Sequence, residues 1–465
     1  MSATEWLSIA LVVLVCGALM AGYPAALTLG GISFAFALAA NAFDLFPIGI
    51  LNALPSRIYG VITNETLMAI PLFIFMGVML ERSRVAEDLL EALARLLGNW
   101  RGGLGVAVLF VGLLLAAAKG VVGATTVTMG LIVLPAMLRH GYDPRLAAGT
   151  VAATSTLAQV FPPATVLVLL GDQIANSWQS AQLAKGVFAP QPVTVTDLFA
   201  GAIVPGFLLV AMYLVYLIGV ALLKPEWSPA IPRPPDERKD GAAAMTLLRA
   251  LVAPLALIFI VLGSILGGLA TPTEAASIGA VGSFVLALWR SGFSWEMLTS
   301  VVGRTAQMSS MIFLILIGAT LFSLVFRGFG GDDLVQHALG GLPGGAAGAV
   351  LVVMLAVFLL GFVMDAFEII IVIVPIVAVP LLAMPGIDPV WLGVLLAVNL
   401  QTSYMHPPLG PTVFYLRSVA PPELTTKHIY VGVIPFIVIQ LLALIALWFA
   451  PQLATALPQA LYGAR

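Results

Sequence analysis

Two stretches decide the fold: STLAQVFPPATVLVLLG at residues 155–171 and NLQTSYMHPPLGPTVFYL at residues 399–416. Each contains a pair of adjacent prolines, Pro162-Pro163 in the first and Pro407-Pro408 in the second, within a strongly apolar segment. A proline in a helix interior removes a backbone hydrogen bond and clashes with the preceding turn. Each stretch therefore predicts a helix that is broken in its middle.

The two stretches belong to an internal repeat with a constant offset. Pro408 and Pro163 differ by 245 positions (408−163), and Pro389 and Pro144 differ by the same number (389−144). Hydrophobic segments that are broken at corresponding positions of two halves are the best sequence indication of the binding site of a secondary transporter. The repeat therefore predicts a carrier whose sites lie near the breaks.

Composition indicates a membrane protein with many spans. The chain of 465 residues is 61% hydrophobic and 9% charged, whereas soluble domains carry about 25% charged residues. At about 20 apolar residues per spanning helix, there is room for roughly ten to twelve spans. The net charge of −2 gives no indication of nucleic-acid binding, and Cys16, the single cysteine, excludes an intramolecular disulfide. The opening MSATEW lacks the basic region of a cleavable signal peptide, which predicts a retained first helix.

Two apolar blocks differ from ordinary spans. Residues 103–138 and 346–383 each have a polar or Gly-rich centre, so each is either two spans or a re-entrant hairpin. A bare hairpin tip at membrane depth is tolerated only when it is buried in protein or lines a cavity. Charged amphipathic segments at residues 81–103 and 326–345 precede the two blocks and predict helices that lie along the membrane surface.

The predicted fold is an all-α polytopic membrane protein built from two repeat-related halves. The first half spans residues 1–223, with a candidate hairpin at 103–138 and a broken helix at 144–171. The second half spans residues 246–465, with a candidate hairpin at 346–383 and a broken helix at 389–416. The linker at 224–245 carries Arg233, Arg238 and Lys239, which favour a cytoplasmic position. The repeat leaves open whether the halves run in the same or in inverted orientation.

A smaller prediction concerns one helix start. The stretch TPTEAA at residues 271–276 predicts a capped helix in which Glu274 pairs with Thr273, rather than a binding site.

Polar residues gather at the breaks and at the facing hairpin centres. A broken helix exposes carbonyl groups at one half-helix end, which suit a cation, and amide N–H groups at the other, which suit an anion. Hydroxyl and amide side chains also serve as hydrogen-bonded contacts between membrane helices. Clustering at repeat-related breaks favours binding, and the candidate substrate-binding residues are Lys119, Gly120, Thr125, Thr154, Ser155, Thr156, Asn399, Gln401 and Thr402.

Ionisable residues inside apolar runs form a second set of candidates: Lys119, Asp365, Glu368 and His406. A charge at mid-membrane costs about 3 kcal/mol or more, so each is a functional candidate. Structural alternatives stay open for all of them. Lys119 can extend to the membrane surface, His406 can form a hydrogen bond beside the prolines, and the two carboxylates can cap the hairpin tip.

Sequence motifs of enzymes are absent. The chain contains no HExxH, no G-x-S-x-G and no P-loop, and its four histidines are scattered. An intramembrane hydrolase and direct coupling to ATP within this chain are therefore not expected. A channel-like or structural membrane subunit remains as the alternative class.

Several stretches together resemble a known family. They are residues 123–171, the GLATPTEAASIGAVG stretch at 268–282, MDAFEIIIVIVPIVAVP at 364–380, and residues 386–410. In this order they resemble the large membrane subunit of tripartite ATP-independent periplasmic (TRAP) transporters. The MDAFEI, NLQTS and FYLRSVAPP segments are similar to a branch that is labelled for mannitol or chloroaromatic compounds.

The resemblance implies an elevator-type carrier of the ion-transporter superfamily in the bacterial inner membrane. The expected partners are a small four-helix membrane subunit and a periplasmic solute-binding protein, with a small organic anion as the cargo. No cofactor is expected. Sodium ions are the family's coupling ions, and the resemblance places the first sodium site at Lys119, Val121, Ala158, Phe161 and Pro163, and the second at Gly361, Asp365, Ser403 and His406, with Leu409 nearby.

The sequence departs from the family pattern at these sites. Lys119 and Val121 stand where the family commonly has small hydroxyl residues, and Ala158 stands where it often has glycine. His406 takes the place of a threonine before the second proline pair. An ammonium group can occupy the place of one sodium ion, and a histidine can gain and lose a proton near neutral pH. We hypothesise that proton coupling reduces or replaces sodium dependence, with Lys119, His406 and Glu368 as the candidate groups.

The expected function is that of a large permease subunit that imports a small organic anion, such as a 2-oxo or 2-hydroxy carboxylate, along a sodium or proton gradient. A stand-alone anion:cation symporter without a binding protein is the main alternative. An uncoupled channel-like or structural subunit is the third.

Overall fold

The structure is a computed structural model that describes residues 3–83, 85–231 and 242–463. Throughout these residues the regular elements are helices, which confirms the predicted all-α class. In the described part of the chain, five helical segments are long and apolar enough to cross a membrane, with Ala366–Ala383 counted as one, and several shorter apolar helices accompany them. The basic linker residues Arg233, Arg238 and Lys239 lie outside the described residues.

The first half contains helices that follow the predicted order, including both segments of its broken helix. They are α1 (Ala3–Met20), α2 (Ala25–Asn41), α3 (Leu54–Ile62), α4 (Ala69–Arg82), α5 (Val85–Leu97), α6 (Gly103–Lys119), α7 (Val122–Arg139), α8 (Pro144–Thr156), α9 (Thr165–Ala184) and α10 (Val195–Leu223).

The second half repeats this order with different lengths. It comprises α11 (Ala242–Leu266), α12 (Pro272–Ser291), α13 (Trp295–Gly328), α14 (Gly331–Gly340), α15 (Gly345–Leu360), the single turn α16 (Ala366–Glu368), a π-helical turn (Ile369–Ile373), α17 (Val374–Ala383), α18 (Pro389–Met405), α19 (Pro411–Val419), α20 (Thr426–Phe449) and α21 (Gln452–Tyr462).

The two broken helices run in opposite directions. Gly432 near the start of α20 lies against Arg145 at the start of α8, because a Cβ atom added to Gly432 would come within 2.1 Å of the Arg145 carbonyl oxygen. At the start of α18, the Trp391 indole donates a hydrogen bond to the Leu447 carbonyl near the end of α20, at 2.8 Å. The starts of α8 and α18 therefore lie at opposite ends of α20, and the repeats are inverted.

One side of the helix bundle carries the residues that lead into the linker. The Asp143 amide donates to the Trp227 carbonyl at 3.0 Å, and the Ile231 amide donates to the Gly98 carbonyl at 2.7 Å. The ends of α5 and α10, the base of the α6–α7 hairpin and the start of α8 therefore share this side. We call it the linker side, and the base of the α15–α17 hairpin lies on the opposite side.

The two halves pack crosswise. Helix α2 packs against α13 and α4 against α12, and these two pairs are related by the repeat. In the same way, α7 of the first hairpin packs against α19 of the second broken helix, and α17 of the second hairpin packs against α9 of the first. Each broken helix is thus held by a hairpin arm of the other half.

The halves differ where α3 and α4 correspond to the single long helix α13. Residues 63–68 interrupt the helix in the first half. There the Asn64 side-chain carbonyl accepts hydrogen bonds from the Thr66 and Leu67 amides, at 2.9 and 3.4 Å. Its amide nitrogen donates to Asp172 of α9, at 3.0 Å. Asn64 therefore satisfies backbone groups that the interruption exposes and ties this loop to a broken helix.

The predicted cap at the start of α12 forms with a different residue. Glu274 accepts hydrogen bonds from the Thr271 amide and hydroxyl, at 2.8 and 3.0 Å. The expected pairing with Thr273 was wrong, because a capping box joins residues three positions apart. The Thr273 hydroxyl instead donates to the Glu65 carbonyl at 2.6 Å, and so connects α12 to the interruption before α4.

We expect Gly432→Ala to destabilise the protein by about 1–3 kcal/mol, the usual cost of overpacking. The added methyl group would meet a backbone oxygen, which cannot rotate away as a side chain can. Thermal unfolding in detergent measures the effect. Gly219→Ala in α10 is the matched control, since no heavy atom lies within 4 Å of its added Cβ. Equal unfolding midpoints for both variants would contradict the close contact of α8 and α20.

Candidate functional site

The tip of the first hairpin touches the break of the first broken helix. The Thr165 hydroxyl, at the start of α9, donates to the Gly120 carbonyl at 2.7 Å. Gly120 has φ +60°, and a Cβ atom there would lie 2.7 Å from the Thr165 amide nitrogen. A left-handed backbone and a backbone contact this close both require glycine. Gly120 is thus a structural requirement of the contact between tip and break.

Two helix N-termini without side-chain caps flank this contact. Helix α7 begins after Val121 and α9 begins after Ala164, and neither residue accepts a capping hydrogen bond. The first amide N–H groups of a helix have no partner within the helix and carry the positive end of its dipole. The tip and the break of the first half therefore present donors suited to an anion.

The tip of the second hairpin is capped by a carboxylate. Asp365 accepts from the Phe367 amide at 2.9 Å, and the Glu368 carboxylate accepts from the Asp365 amide at 3.1 Å. The Tyr404 hydroxyl at the end of α18 donates to Asp365 at 2.5 Å and accepts from the Ala366 amide at 3.1 Å. The capping alternative for the two carboxylates is thus realised, and the cap is bound to the broken helix.

Tyr415 in α19 brings the second broken helix against the tip of the first hairpin. A Cβ atom added to Gly123, at the start of α7, would lie 3.1 Å from the Tyr415 ring. Helix α19 also begins without a side-chain cap, at Gly410. Tyr415 is 37% exposed, so its ring lines an accessible surface between the hairpins.

Hydroxyl groups before the breaks bond to their own helices. Thr154 donates to the Thr150 carbonyl and Ser155 to the Val151 carbonyl, at 2.8 and 2.7 Å. Thr402, Ser403 and Thr125 form corresponding bonds one turn back along their helices. All of these hydroxyls belong to fully buried residues. In this conformation the hydroxyls contribute to helix packing, and their oxygen lone pairs can still accept hydrogen bonds.

A buried network joins the two broken helices at the repeat axis. The Gln401 amide donates to the Thr156 hydroxyl oxygen at 3.3 Å, and these two positions are 245 residues apart. Gln440 of α20 donates to Thr156 at 3.4 Å and to the Tyr213 hydroxyl of α10 at 2.7 Å. Because repeat-equivalent residues meet only near the axis that relates the repeats, this network marks the centre of the structure.

Some side-chain oxygens of this network accept no hydrogen bond from the described residues. The side-chain carbonyl oxygens of Gln401 and Gln440 are buried and have no hydrogen-bond partner among the described residues, and the same holds for Gln159 beside the first break. Buried polar atoms are nearly always paired, so such exceptions call for an explanation. Polar acceptors at the centre of a carrier are compatible with water or a cation.

The candidate sodium ligands separate into two groups. Gly361 and Ser403 are adjacent, since a Cβ on Gly361 would lie 2.2 Å from the Ser403 hydroxyl oxygen. Gly361 lies at the second hairpin tip with Asp365, and Ser403 lies at the end of α18, so this contact joins the tip to that helix. In the first half, the Phe161 ring instead packs edge-on against Phe207 of α10, with centroids 5.1 Å apart. Ala158 and Pro163 are buried at the break, and the Val121 carbonyl accepts from Thr125.

His406 lies between aromatic rings at the bottom of an apolar groove. Its ring is 5.2 Å from Phe358 and 5.3 Å from Phe362, centroid to centroid, and its Nδ1 lies 2.6 Å from the Pro407 carbonyl. The groove has a volume of about 710 Å³ and separates α15 from α20, with Asn399 as its other polar residue. The Asn399 amide donates to the Met354 carbonyl at 2.8 Å. Lys119 ends α6, and its side chain lies outside the described residues.

Sequence reasoning missed four residues that the structure places at the site: Tyr404, Tyr415, Tyr213 and Gln440. Tyr404 and Tyr415 lie in the second of the two quoted stretches, but an argument from small hydroxyl and amide side chains does not select tyrosine. Gln440 is a polar residue inside an apolar span, and the argument used for the ionisable groups would have identified it. Tyr213 carried no such signal, since tyrosine is also common in apolar surroundings.

Inverted repeats, with a hairpin tip against a broken helix in each half, are the architecture of secondary transporters. The family comparison agrees with this class. Residues 11–453 match the model of the DctM component of tripartite ATP-independent periplasmic transporters. The chain belongs to this family. It is a multi-pass inner-membrane permease subunit of a TRAP transporter and not an enzyme.

Individual relatives are similar over nearly the whole chain. The C4-dicarboxylate TRAP transporter large permease protein DctM of Rhodobacter capsulatus is 28% identical over 95% of this chain and 97% of its own length. The isethionate TRAP transporter permease protein DctMQ of Oleidesulfovibrio alaskensis is 28% identical over 94% of this chain, which covers 64% of that longer protein.

A solved structure supports the fold. The Alcanivorax borkumensis YdaH transporter, described as having an unusual topology, aligns with a TM-score of 0.61. The alignment covers 86% of this chain and 89% of that one at 17% sequence identity. This likeness concerns the fold alone.

We expect a double-mutant cycle to detect the central network. Tyr213→Phe removes the shortest hydrogen bond of the buried Gln440 amide, and Gln440→Leu removes the shortest hydrogen bond of the Tyr213 hydroxyl, so each should lower stability by about 1–3 kcal/mol. Removing both partners should cost less than the sum. Tyr216→Phe is the matched control, because Tyr216 packs on the same Phe436 ring as Tyr213. Strict additivity would show that the network contributes nothing to stability.

Proposed function

We propose that this chain imports a small organic anion, received from a periplasmic binding protein, and uses a cation gradient to drive it. The observation that carries the proposal is the asymmetry of the helix N-termini at the breaks. Those of α7, α9 and α19 have no side-chain cap, whereas the start of α16 is capped by Asp365. The uncapped amides suit an anion, and the carboxylate suits a cation.

The anion is assigned to the first tip and the space that Tyr415 lines. Gly120 and the uncapped starts of α7 and α9 supply backbone donors there, and Lys119 belongs to the same tip. The names of the two relatives support an anionic cargo, since a C4-dicarboxylate carries carboxylates and isethionate carries a sulfonate. A carboxylate, such as a 2-oxo or 2-hydroxy acid, is the proposed substrate class for this chain.

The coupling cation is assigned to the second tip. Asp365 and Glu368 are adjacent, and no basic side chain in the described part of the chain forms an ion pair with either. Two neighbouring carboxylates in a membrane interior are costly unless a proton or a metal cation offsets their charge. The ends of α15 and α18, at Gly361 and Ser403, add carbonyl dipoles that suit a cation. Either sodium or a proton meets these requirements.

Orientation follows from the distribution of basic residues. Within the described residues, the linker side carries Arg82, Arg95, Arg101, Arg139, Arg145, Lys224, Arg290, Arg417 and Lys427. The opposite side carries Arg57, Lys185 and Arg327. Cytoplasmic loops of membrane proteins are enriched in Lys and Arg. The linker side is therefore proposed as cytoplasmic, so that the first hairpin enters from the cytoplasm and the second from the periplasm.

An elevator motion would require a few contacts to break. The hairpins and broken helices would move together against the helices α1–α4 and α11–α13. Among the described residues, side-chain hydrogen bonds across this boundary include that of Thr128 in α7 to Glu81 in α4, at 2.8 Å, and that of Asn64 to Asp172 in α9, at 3.0 Å. So few polar contacts favour sliding over a fixed interface.

The partners follow from the family and from one relative. The family name describes a tripartite system, of which this chain is one component. The proposed partners are a small four-helix membrane subunit and a periplasmic solute-binding protein. The DctMQ relative supports the first partner, because this chain covers only 64% of that longer protein. A stand-alone symporter would transport without either partner, and an uncoupled channel would show no counterflow.

We expect Asp365→Asn to abolish cation-driven uptake into proteoliposomes that contain the partner subunits. The substitution keeps the capping oxygen but removes the negative charge that a cation requires. Asp388→Asn is the matched control, because Asp388 caps α18 in the same way. Uptake that remains fully coupled in Asp365→Asn would move the cation site elsewhere and leave the fold assignment intact.

Separate sodium and proton gradients decide between the coupling ions. If His406 serves in proton coupling, uptake by the native protein should respond to a proton gradient, and His406→Thr should shift the dependence toward sodium. Steep sodium dependence that is unchanged in His406→Thr would refute proton coupling through this residue.

A further inference from the structure

A polar cavity of about 810 Å³ lies on the linker side, and its lining contains none of the candidate residues of the transport site. It is enclosed by the ends of α4 and α12 and the starts of α5 and α13, so it joins helices of both halves. Its lining includes two guanidinium groups, Arg82 and Arg290, and two carboxylates, Asp88 and Glu296. A cavity lined mainly by charged and hydroxyl side chains requires a polar occupant.

The two arginines have more donors than the protein satisfies. Arg290 Nη2 forms an ion pair with Asp88 at 2.5 Å, but Arg290 Nη1 is buried and has no hydrogen-bond partner among the described residues. Arg82 Nη2 donates to the Ser300 hydroxyl at 3.0 Å. Each guanidinium carries five N–H donors in a fixed fork that matches carboxylate and phosphate oxygens. The unsatisfied donors therefore indicate a phosphate or carboxylate ligand.

Exposed aromatic side chains place the cavity at the level of lipid headgroups. Trp289, Phe293 and Trp295 are 79%, 61% and 71% exposed, at the end of α12 and the start of α13. Tryptophan is enriched where membrane and water meet. The adjoining helix α5 is the charged amphipathic segment expected to lie along the surface. A phospholipid headgroup is the phosphate that is abundant at this depth.

We infer that the cavity between Arg82, Arg290 and Glu296 binds the headgroup of a zwitterionic phospholipid with a primary ammonium, of the phosphatidylethanolamine type. The guanidinium groups bind the phosphodiester oxygens, and Glu296 accepts hydrogen bonds from the ammonium. The two positive and two negative residues match a ligand that is itself neutral overall. A headgroup bound here connects α4 and α5 of one half with α12 and α13 of the other, independently of the transported solute.

Native mass spectrometry of the full-length protein in detergent tests the inference. After delipidation, the protein is offered phosphatidylethanolamine, phosphatidylcholine or phosphatidylglycerol with identical acyl chains. We expect phosphatidylethanolamine to be retained best, because choline has no N–H donor for Glu296 and glycerol has no positive charge. Arg82→Gln should weaken its retention about tenfold, equivalent to about 1.4 kcal/mol. Arg304→Gln, an exposed arginine of α13 outside the lining, is the matched control and should change nothing.

Two further experiments identify the ligand. Glu296→Gln should remove the preference for phosphatidylethanolamine over phosphatidylcholine, while both lipids still bind through the phosphate. Soluble glycerophosphoethanolamine should displace the lipid, whereas inorganic phosphate at the same concentration should not. Equal retention of the three lipids by the native protein, retention unaffected by Arg82→Gln, or displacement by inorganic phosphate would each overturn the inference.

Discussion

The structure depends on one constraint: every backbone group that a broken helix exposes inside the membrane must find a partner within the protein or line a cavity that water or a solute can fill. Proline pairs at residues 162–163 and 407–408 free such groups in both halves. Side chains of the broken helices meet the same demand at the hairpin tips: Thr165 donates to the Gly120 carbonyl in one half, and in the other Tyr404 accepts from the Ala366 amide and donates to Asp365. Tip and break are therefore one unit, and the amides that remain unpaired are the groups available to a solute.

Inverted packing follows from the same requirement. A broken helix is weaker than a continuous one and needs support along both segments. Each is held by the other half's hairpin, with α7 against α19 and α17 against α9. The polar contact of Thr156 with Gln401 at the repeat axis then fixes the two breaks relative to each other. Both side chains are fully buried, so the two breaks share one packed interior.

The amino-acid sequence predicts those features of the fold that proline positions and hydrophobic periodicity determine. The breaks and the 245-residue offset follow from local chemistry, and the structure bears them out; the segment after α4 forms the helix α5, and its place along the membrane surface stays a prediction. The network of Tyr213 and Gln440 could not be predicted, because those residues are 227 positions apart and fall outside the repeat register. Tyr415 was missed because its importance depends on its approach to Gly123, a contact that crosswise packing creates. Likewise, the partner of Glu274 was wrong by two residues, since two threonines stand within reach of it and only one has the required spacing.

The difference between the two tips gives a physical reason for coupling. An anion alone at the uncapped first tip would be costly to carry, and so would the carboxylates of the second tip without a cation, because an uncompensated charge at mid-membrane costs about 3 kcal/mol or more. When the anion and the cation are both bound, their opposite charges attract each other in a medium of low dielectric constant. Tyr415 of the second broken helix lies against Gly123 of the first tip, and Tyr404 binds the same broken helix to Asp365 of the second tip, so one helix would contact both sites. On the proposed function, the carrier would cross the membrane readily only when both sites are filled, which is the condition that obligatory coupling requires.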